Sequence, residues 1–318
     1  MHCCVGRWAR LSAVCGLLIS WPGRAAAPAA APKPVVVLFV GNSFIHGGYR
    51  PVLHYNAASI TDENHHLSVG GPRRQQRTHE PWGGVAGIFQ QLTAEAGLHY
   101  EVHLDAINAQ SLQFHYDSAR SVIDRPAGWD AVVLQEHSTR PLPARRGGQP
   151  ALFQDYATRL EQLVHARNPK ARVYLYQTWA RADLVYRAQA PYFGLPLDSL
   201  ALDLHRGYYD LARQNRRIKA VAPAGDAWLR AVQQGVALRN PYAPEAGKVN
   251  LWGEDNYHPS RWGAYLNACV LFAELTGKDP RRLGPQEKAA ADLGISPAEA
   301  AQLQRVAYEQ VRAGRKVR

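Results

Sequence analysis

Residues 34–44, PVVVLFVGNSF, carry the pattern that decides the fold. The stretch from Pro34 to Val40 is an unbroken run of β-branched, aliphatic and aromatic side chains. Such a run is typical of a strand that is buried on both faces of a parallel sheet. Gly41-Asn42-Ser43 ends it. Ser43 is therefore predicted to follow the carboxyl end of a buried strand, at the edge of an α/β sheet where ligands bind.

Shorter apolar runs predict four more strands, over residues 100–107, 131–134, 172–178 and 218–224. Helical periodicity accompanies nearly every strand, over residues 85–96, 152–167, 198–214, 226–234, 263–275 and 297–311. The clearest helical pattern covers residues 152–167, and Asn168-Pro169 stops it. Alternating strands and helices imply βαβ units. The chain is therefore predicted to be an α/β protein, a three-layer α/β/α sandwich around a five-stranded parallel sheet.

The first thirty residues have the layout of an export signal. Arg7 and Arg10 precede an apolar run that ends at Trp21, and small residues follow. The run is too short to span a bilayer, and cleavage near Ala29 fits the small-residue rule. The sequence therefore predicts a secreted or periplasmic protein without stable membrane insertion.

Residues 1–30 are accordingly assigned to a signal peptide and Ala/Pro linker, and residues 31–318 to a single domain. Three of the four cysteines lie in this leader, so the exported chain would keep only Cys269 and form no internal disulfide. Cys269 lies in an apolar stretch and is predicted to be buried. Lipidation of Cys15 is the alternative, but Val14 is bulky for the residue before a modified cysteine.

The formal net charge of the chain is +11. Its basic residues fall in short, scattered pairs, at Arg73-Arg74, Arg145-Arg146, Arg216-Arg217 and Arg281-Arg282. Scattered pairs favour a solvated surface over a nucleic-acid interface. Thirteen histidines invite a metal hypothesis, but the sequence has no HExxH or CxxC motif. We therefore expect no nucleic-acid partner, no metal and no cofactor.

Ser43 and the segment Asp255-Asn256-Tyr257-His258-Pro259 are the candidates for chemistry. A serine at a strand end can act as a nucleophile, but the same position suits a helix N-cap. A carboxylate three residues before a histidine can orient the imidazole and stabilise its charged form. The alternative there is a surface loop followed by a helix that Ser260 caps.

The two segments together resemble the first and last sequence blocks of the SGNH/GDSL hydrolase superfamily, GNSF after the first strand and DNYHPS before the last core helix. The likeness spans most of the mature chain and implies the flavodoxin-like fold of that superfamily. It also implies that Ser43 is the nucleophile, that His258 is the general base and acid, and that Asp255 holds the histidine.

Two middle blocks depart from the family pattern. Where the family has an oxyanion glycine, this chain has Asn108-Ala109-Gln110; a backbone N–H of Ala109 or Gln110 can serve, provided that no positive φ is required. Where the family has a Gly-x-Asn-Asp block, this chain has LQEHS, with Gln135 in place of the asparagine. The resemblance therefore implies an oxyanion hole formed by Ser43, Ala109 and the Gln135 amide, unless Gln135 is only a structural cap.

Glu136 and His137 are a competing acid–base pair, with Ser138 beside them, but Ser138 lacks a turn signature. Trp82, Trp252 and Tyr257 are predicted to bind substrate by stacking on sugar rings, although core packing explains aromatic residues equally well. Residues 49–81 are irregular and follow the first strand, as specificity loops do.

The predicted function is a secreted serine esterase that hydrolyses an acyl ester, specifically an acetyl ester, of a carbohydrate through an acyl-enzyme on Ser43. The partner would be a small-molecule or polysaccharide ester, and the sequence does not indicate an oligomeric state. Lipid esters, thioesters and acyl transfer to a polysaccharide stay open because the chemistry is shared. A non-catalytic carbohydrate-binding protein on the same fold is the alternative from another class.

Overall fold

The computed structural model describes residues 33–65 and 81–315, together with residues 1–4, 6 and 8. The chain divides into two units, Met1–Pro32 and Lys33–Arg318, and the second contains all the helices and strands described below. The predicted signal peptide lies almost wholly outside the described residues, as do residues 66–80 of the segment that we expect to carry specificity.

All five predicted strands form, and they pair in parallel. The strands are β1 (Val35–Gly41), β2 (Thr61–Asp62), β3 (Tyr100–Ala106), β4 (Ala131–Leu134), β5 (Arg172–Tyr176) and β6 (Ile218–Ala222). Their order in the sheet is β2-β3-β1-β4-β5-β6. Within the described residues the sheet thus has six strands, whereas five were predicted, because the two-residue edge strand β2 is too short to show a periodic pattern.

The helices are α1 (Ser43–His46), α2 (Gly84–Glu95), α3 (Leu112–Ser118), α4 (Pro150–Arg167), α5 (Asp183–Tyr186), α6 (Leu197–Gln214), α7 (Ala224–Gln233), α8 (Arg261–Thr276), α9 (Lys288–Asp292) and α10 (Pro297–Arg315). The six longer helices begin within two residues of the predicted starts; they are α2, α4, α6, α7, α8 and α10. The sequence missed α1, α3, α5 and α9, which span at most seven residues and so complete no more than two turns.

Strand β1 is buried on both faces, as predicted. Val37 and Phe39 point into a core that helices α2, α7, α8 and α10 cover, whereas Leu38 and Val40 point into a second core under α3 and α4. Helix α6 contributes to both cores. This arrangement confirms the three-layer α/β/α sandwich. This arrangement also gives the position of the candidate site, because the carboxyl ends of β3, β1 and β4 lie side by side at one edge of the sheet.

Cys269 is fully buried in α8, where the sequence predicted a small apolar packing residue. Burial raises the pKa of its thiol, which makes the thiolate a poor candidate for chemistry. Among the helices that the structure describes, none is long and apolar enough to cross a membrane.

Candidate active site

The turn between β1 and α1 presents the Ser43 hydroxyl. Asn42, not Ser43, caps the helix, since its Oδ1 accepts a hydrogen bond from the Phe44 N–H at 3.1 Å. Its Nδ2 donates to the Gln110 carbonyl at 2.8 Å, which joins this turn to the one after β3. The N-cap alternative for Ser43 is therefore wrong, and the hydroxyl is not used in capping.

The Ser43 hydroxyl lies at the end of a chain of hydrogen bonds. Its Oγ is 2.7 Å from Nε2 of His258, and Nδ1 of His258 is 2.5 Å from Oδ2 of Asp255. We call His258 and Asp255 the active-site pair. His258 is only 7% exposed, so bulk water has little access to its ring. The structure thus assembles the three residues that the resemblance named, across 215 positions in sequence.

Asp255 is held in its charged form. Burial alone would raise the pKa of this carboxyl, but hydrogen bonds from the His258 ring and from the backbone N–H groups of His258 and Tyr257 lower it to about 2. The two backbone bonds reach Oδ1 at 3.0 and 3.1 Å. An ionised carboxylate only accepts hydrogen bonds, so Nδ1 of His258 carries the proton and Nε2 is free to take the proton of Ser43.

A short hairpin fixes the active-site pair. The Gly253 N–H donates to the His258 carbonyl at 2.8 Å, and Trp252 and Pro259 form an antiparallel bridge. Asn256, at the tip, takes a φ of 61°, which asparagine tolerates better than most residues. Ser260 then caps α8 through the Gly263 N–H at 3.3 Å. The loop and the helix cap that we considered as an alternative are therefore both present, and they support the pair.

Two backbone N–H groups are available to an oxyanion, that of Ser43 and that of Ala109 in the turn after β3, which Asn42 joins to the serine turn. Within residues 33–65 and 81–315, no hydrogen-bond acceptor lies at the N–H of Ser43 or of Ala109. Gln110 is less suited, since its N–H donates to the Ile107 carbonyl at 3.1 Å. Ala109 has a φ of 57°, so the proviso of no positive φ is not met. Alanine adopts this conformation at a cost of about 1–2 kcal/mol, a strain typical of functional turns.

Gln135 does not reach the surface of the site. Its side chain is fully buried, its Oε1 accepts the Asn42 N–H at 3.0 Å, and its Nε2 donates to the Glu136 carbonyl. A Cβ on Gly41 would collide with this amide, which is why a glycine precedes the turn that carries Ser43. The geometry favours the structural alternative: Gln135 braces the turn from below instead of facing a substrate oxygen.

The competing pair of Glu136 and His137 is not assembled as acid and base. Oε1 of Glu136 accepts the backbone N–H groups of Leu112 at 3.2 Å and His137 at 2.6 Å, and burial raises the pKa of this carboxyl to about 7. The Ser138 hydroxyl accepts from Arg181 Nη1 at 3.1 Å. These contacts give the three residues a supporting role around the β4 end.

A second histidine–aspartate pair, which the sequence did not reveal, lies beside the turn that carries Ser43. Nδ1 of His115 is 3.1 Å from Oδ2 of Asp105, and Nε2 is 2.8 Å from the Gly41 carbonyl. Asn64 donates to Oδ1 of Asp105 at 2.5 Å. We call His115 and Asp105 the buried pair, since neither side chain is exposed. The spacing of ten residues across a strand and a turn carries no pattern that sequence rules recognise.

The buried pair is ionic. Burial alone would lower the pKa of His115, but the charge of Asp105 and the hydrogen bonds to Asp105 and to the Gly41 carbonyl raise it. A carbonyl and a carboxylate only accept, so both ring nitrogens must carry protons. His115 is therefore an imidazolium that holds the carbonyl two residues before Ser43.

Two of the three predicted substrate-binding aromatics are core residues, which corrects that prediction. Trp252 is 2% exposed, and its Nε1 donates to the Ala180 carbonyl while its ring packs on Trp228. Trp82 is also buried, with its ring centroid 4.2 Å from that of His46. Large apolar rings reach the core when neighbouring helices cover them, and the sequence does not show which rings are covered.

Tyr257 stays half-exposed beside His258, with ring centroids 3.9 Å apart. Arg181 lies over the Tyr257 ring at 4.3 Å and is held by Asp183 at 2.7 Å. The sequence also missed Tyr49, whose hydroxyl donates to Oδ2 of Asp255 at 3.1 Å. The sequence feature that could have pointed to Tyr49 is its position directly after Gly47-Gly48, a few residues beyond Ser43.

Among the residues that the structure describes, no group of three histidine, cysteine or carboxylate side chains is arranged to hold a metal ion.

Sequence comparisons find nothing: no family model and no curated protein matches the chain. Solved structures do match. A DUF4886 family protein from Bacteroides uniformis is similar with a TM-score of 0.53 and 15% identity, over 88% of this chain and 95% of that one. A candidate GDSL-like lipase from Parabacteroides merdae has a TM-score of 0.50 and 19% identity, over 77% and 96%.

These likenesses show the fold. The chain has an SGNH/GDSL hydrolase-like architecture, which confirms at the level of fold the resemblance carried by GNSF and DNYHPS. A fold does not determine an activity, which depends on the geometry and chemistry of the site.

Proposed function

We propose that the protein is a serine esterase that hydrolyses acyl esters of carbohydrates, specifically acetyl esters. The observation that carries the proposal is the hydrogen-bonded chain from Ser43 through the active-site pair, with the open N–H groups of Ser43 and Ala109 beside it. Nucleophile, base, orienting carboxylate and oxyanion donors are the parts that acyl transfer needs.

In the first step, Nε2 of His258 takes the proton of the Ser43 hydroxyl while Oγ attacks the ester carbonyl carbon. The carbonyl oxygen becomes an oxyanion, to which the N–H groups of Ser43 and Ala109 donate. The charge of Asp255 stabilises the imidazolium. When the tetrahedral intermediate collapses, the bond to the alcohol oxygen breaks and Nε2 gives its proton to that oxygen.

In the second step, water attacks the acyl-enzyme and His258 takes a proton from it. Collapse breaks the bond between the carbonyl carbon and Oγ, and His258 returns the proton to Ser43. The products are the free alcohol and the carboxylic acid, so one water is consumed for each ester. Apart from the ester and the water, these two steps use only the three side chains and the two N–H donors.

A polar substrate is supported by the surroundings of Ser43. Tyr257 and Tyr49 contact the active-site pair, and Arg181 lies over the Tyr257 ring, so each brings a polar group close to it. A hydroxyl-rich alcohol such as a sugar fits this lining better than a lipid chain, which an apolar groove would have to bury. We therefore place the carbohydrate on the alcohol side of the ester.

The test is the rate of acetate release from acetylated xylan and xyloglucan, with 4-nitrophenyl acetate as a general ester, for wild type and Ser43→Ala. We expect release by wild type and loss in the variant, with an unchanged melting temperature. Equal rates in both proteins would overturn the esterase. Hydrolysis of 4-nitrophenyl acetate without release from either polysaccharide would overturn the carbohydrate assignment alone.

We further propose that the protein is exported, on the basis of Arg7, Arg10 and the apolar run that follows them. Expression of the full chain in a bacterial host, followed by fractionation and N-terminal sequencing, tests this. A mature N-terminus near Ala29 outside the cytoplasm is expected. A chain that stays in the cytoplasm with its first thirty residues attached would contradict export.

A further inference from the structure

Gly48 and Tyr49, which follow the serine turn, both lie against His258. Gly47 and Gly48 both have positive φ, at 85° and 69°, and a Cβ on Gly48 would lie 2.9 Å from Cγ of His258. Gly48 thus allows the backbone to approach the imidazole more closely than a residue with a Cβ would, whereas Gly47 lies against Val52. The next residue, Tyr49, is placed against the same histidine.

Tyr49 contacts both members of the active-site pair. Its hydroxyl donates to Oδ2 of Asp255 at 3.1 Å, the oxygen that also faces Nδ1 of His258. Its ring stands at 87° to the imidazole, with centroids 5.5 Å apart. Burial and the negative charge of Asp255 raise the pKa of the tyrosine hydroxyl, so it keeps its proton and stays a donor.

Tyr49 is nevertheless 52% exposed. The other aromatic rings around His258, those of Phe44 and Tyr257, are buried or half-buried. A large ring that is left open beside a reactive group is a surface on which a ligand can be placed.

The proposed mechanism indicates which part of the ester lies next to the Tyr49 ring. The leaving alcohol oxygen takes its proton from Nε2 of His258, so it must come within hydrogen-bond distance of that nitrogen. The carbon skeleton attached to the oxygen then lies beside the imidazole, where the Tyr49 ring stands. The carbonyl oxygen of the acyl group points instead towards the N–H groups of Ser43 and Ala109.

We propose that Tyr49 binds the leaving alcohol by stacking against a pyranose ring, and that its hydroxyl positions Asp255. The inference rests on the proposed function, because it places the sugar on the alcohol side of an ester cleaved by Ser43. The C–H groups of a pyranose pack on an aromatic face, and the ring hydroxyls remain solvated or bonded to polar neighbours.

The experiment compares Tyr49→Phe with Tyr49→Ala on two acetyl esters, xylose tetra-acetate and ethyl acetate. Both variants lose the hydroxyl, so both should lower kcat for both esters by the same factor, about three- to tenfold. Only Tyr49→Ala loses the ring. It should raise KM for the sugar ester about five- to tenfold above that of Tyr49→Phe and leave KM for ethyl acetate unchanged.

Tyr242→Ala is the matched control, because Tyr242 is 47% exposed and packs near Tyr186, in a contact separate from those around His258. It should match wild type on both esters. Equal KM values for the sugar ester in Tyr49→Phe and Tyr49→Ala would overturn the stacking role. Absence of Ser43-dependent hydrolysis of either ester by wild type would instead overturn the proposed function.

Discussion

The active-site pair and the buried pair share a hydrogen-bond pattern and differ in one atom. In both, Nδ1 of the histidine meets an aspartate Oδ2, at 2.5 Å and 3.1 Å respectively. In both, Nε2 meets an oxygen, which is the Ser43 hydroxyl at 2.7 Å in the first and the Gly41 carbonyl at 2.8 Å in the second.

The oxygen that faces Nε2 decides whether the histidine of each pair can act as a base. A hydroxyl can donate, so Nε2 of the active-site pair can stay unprotonated and act as a base. A carbonyl can only accept, so Nε2 of the buried pair must hold a proton and the ring is already a cation. A histidine with an aspartate behind it is thus a general base only when a proton donor stands in front of it.

Among the changes that test this difference between the two pairs, Asp255→Asn should have the largest effect on kcat. The amide keeps the shape but offers a donor to Nδ1, which favours the wrong tautomer, and kcat should fall about 10⁴-fold. Asp105→Asn is the matched change in the buried pair, and we expect its kcat per folded molecule to stay within about tenfold of wild type. Steady-state kinetics decide, and similar losses in both variants would contradict the distinction.

Next in size is the loss of stability when the buried pair is broken. His115→Leu leaves the Asp105 carboxylate without its counter-charge and should lower the free energy of unfolding by about 3–5 kcal/mol. Urea unfolding at neutral pH measures it, with His258→Leu as the control, for which a smaller loss is expected because Asp255 retains two backbone donors. A larger loss in the control would overturn the assignment of roles.

Gln135→Ala should act on stability more than on rate. Removing the amide leaves the Asn42 N–H and the Glu136 carbonyl unpaired, which we expect to cost about 1–3 kcal/mol, with a fall in kcat of less than about tenfold. Thermal unfolding and kinetics on one preparation test this. A rate loss of about 100-fold at unchanged stability would return Gln135 to the oxyanion hole.

The smallest effect is a difference in pH dependence. Asp255 has a lowered pKa, so its contribution to stability is complete above 3.8 and is lost as the pH falls towards 2. His115 has a raised pKa, so its contribution is complete below 6.5 and is lost as the pH rises through the folded value.

Melting temperatures across this pH range test the two signs. The advantage of wild type over Asp255→Asn should shrink at low pH, whereas its advantage over the double variant Asp105→Asn, His115→Gln should shrink at high pH. The double variant is the proper comparison there, because it removes His115 without leaving a buried carboxylate that has no counter-charge. The opposite slope in either comparison would refute the charge states that we assign.

The sequence predicted the layers of the fold, the central strand and the three residues that meet at the site, since each lies in a local pattern. The run PVVVLFV predicts a strand that is buried on both faces. GNSF places a serine at the end of that strand, and DNYHPS places a carboxylate three residues before a histidine. Local patterns do not report the direction of a side chain in the packed protein. For this reason Trp252 was assigned to substrate although it is buried, and Gln135 was assigned to the oxyanion although its amide braces the turn.

The residues that sequence analysis missed act through contacts distant in sequence. Tyr49 reaches Asp255 across 206 positions, and His115 matters because Gly41, 74 positions away, offers a carbonyl instead of a hydroxyl. Ala109 shows a further limit, because it takes the positive φ that pattern rules reserve for glycine.

The most direct test of the account is to find where the acyl group is carried. Wild type is mixed with 4-nitrophenyl acetate, quenched in acid before the acyl-enzyme turns over, digested and examined by peptide mass spectrometry. We predict an acetyl group on Ser43 that is absent from His258→Ala treated in the same way. Acetylation at another residue, or at Ser43 to the same extent without His258, would contradict the role that we give to Ser43 and the active-site pair.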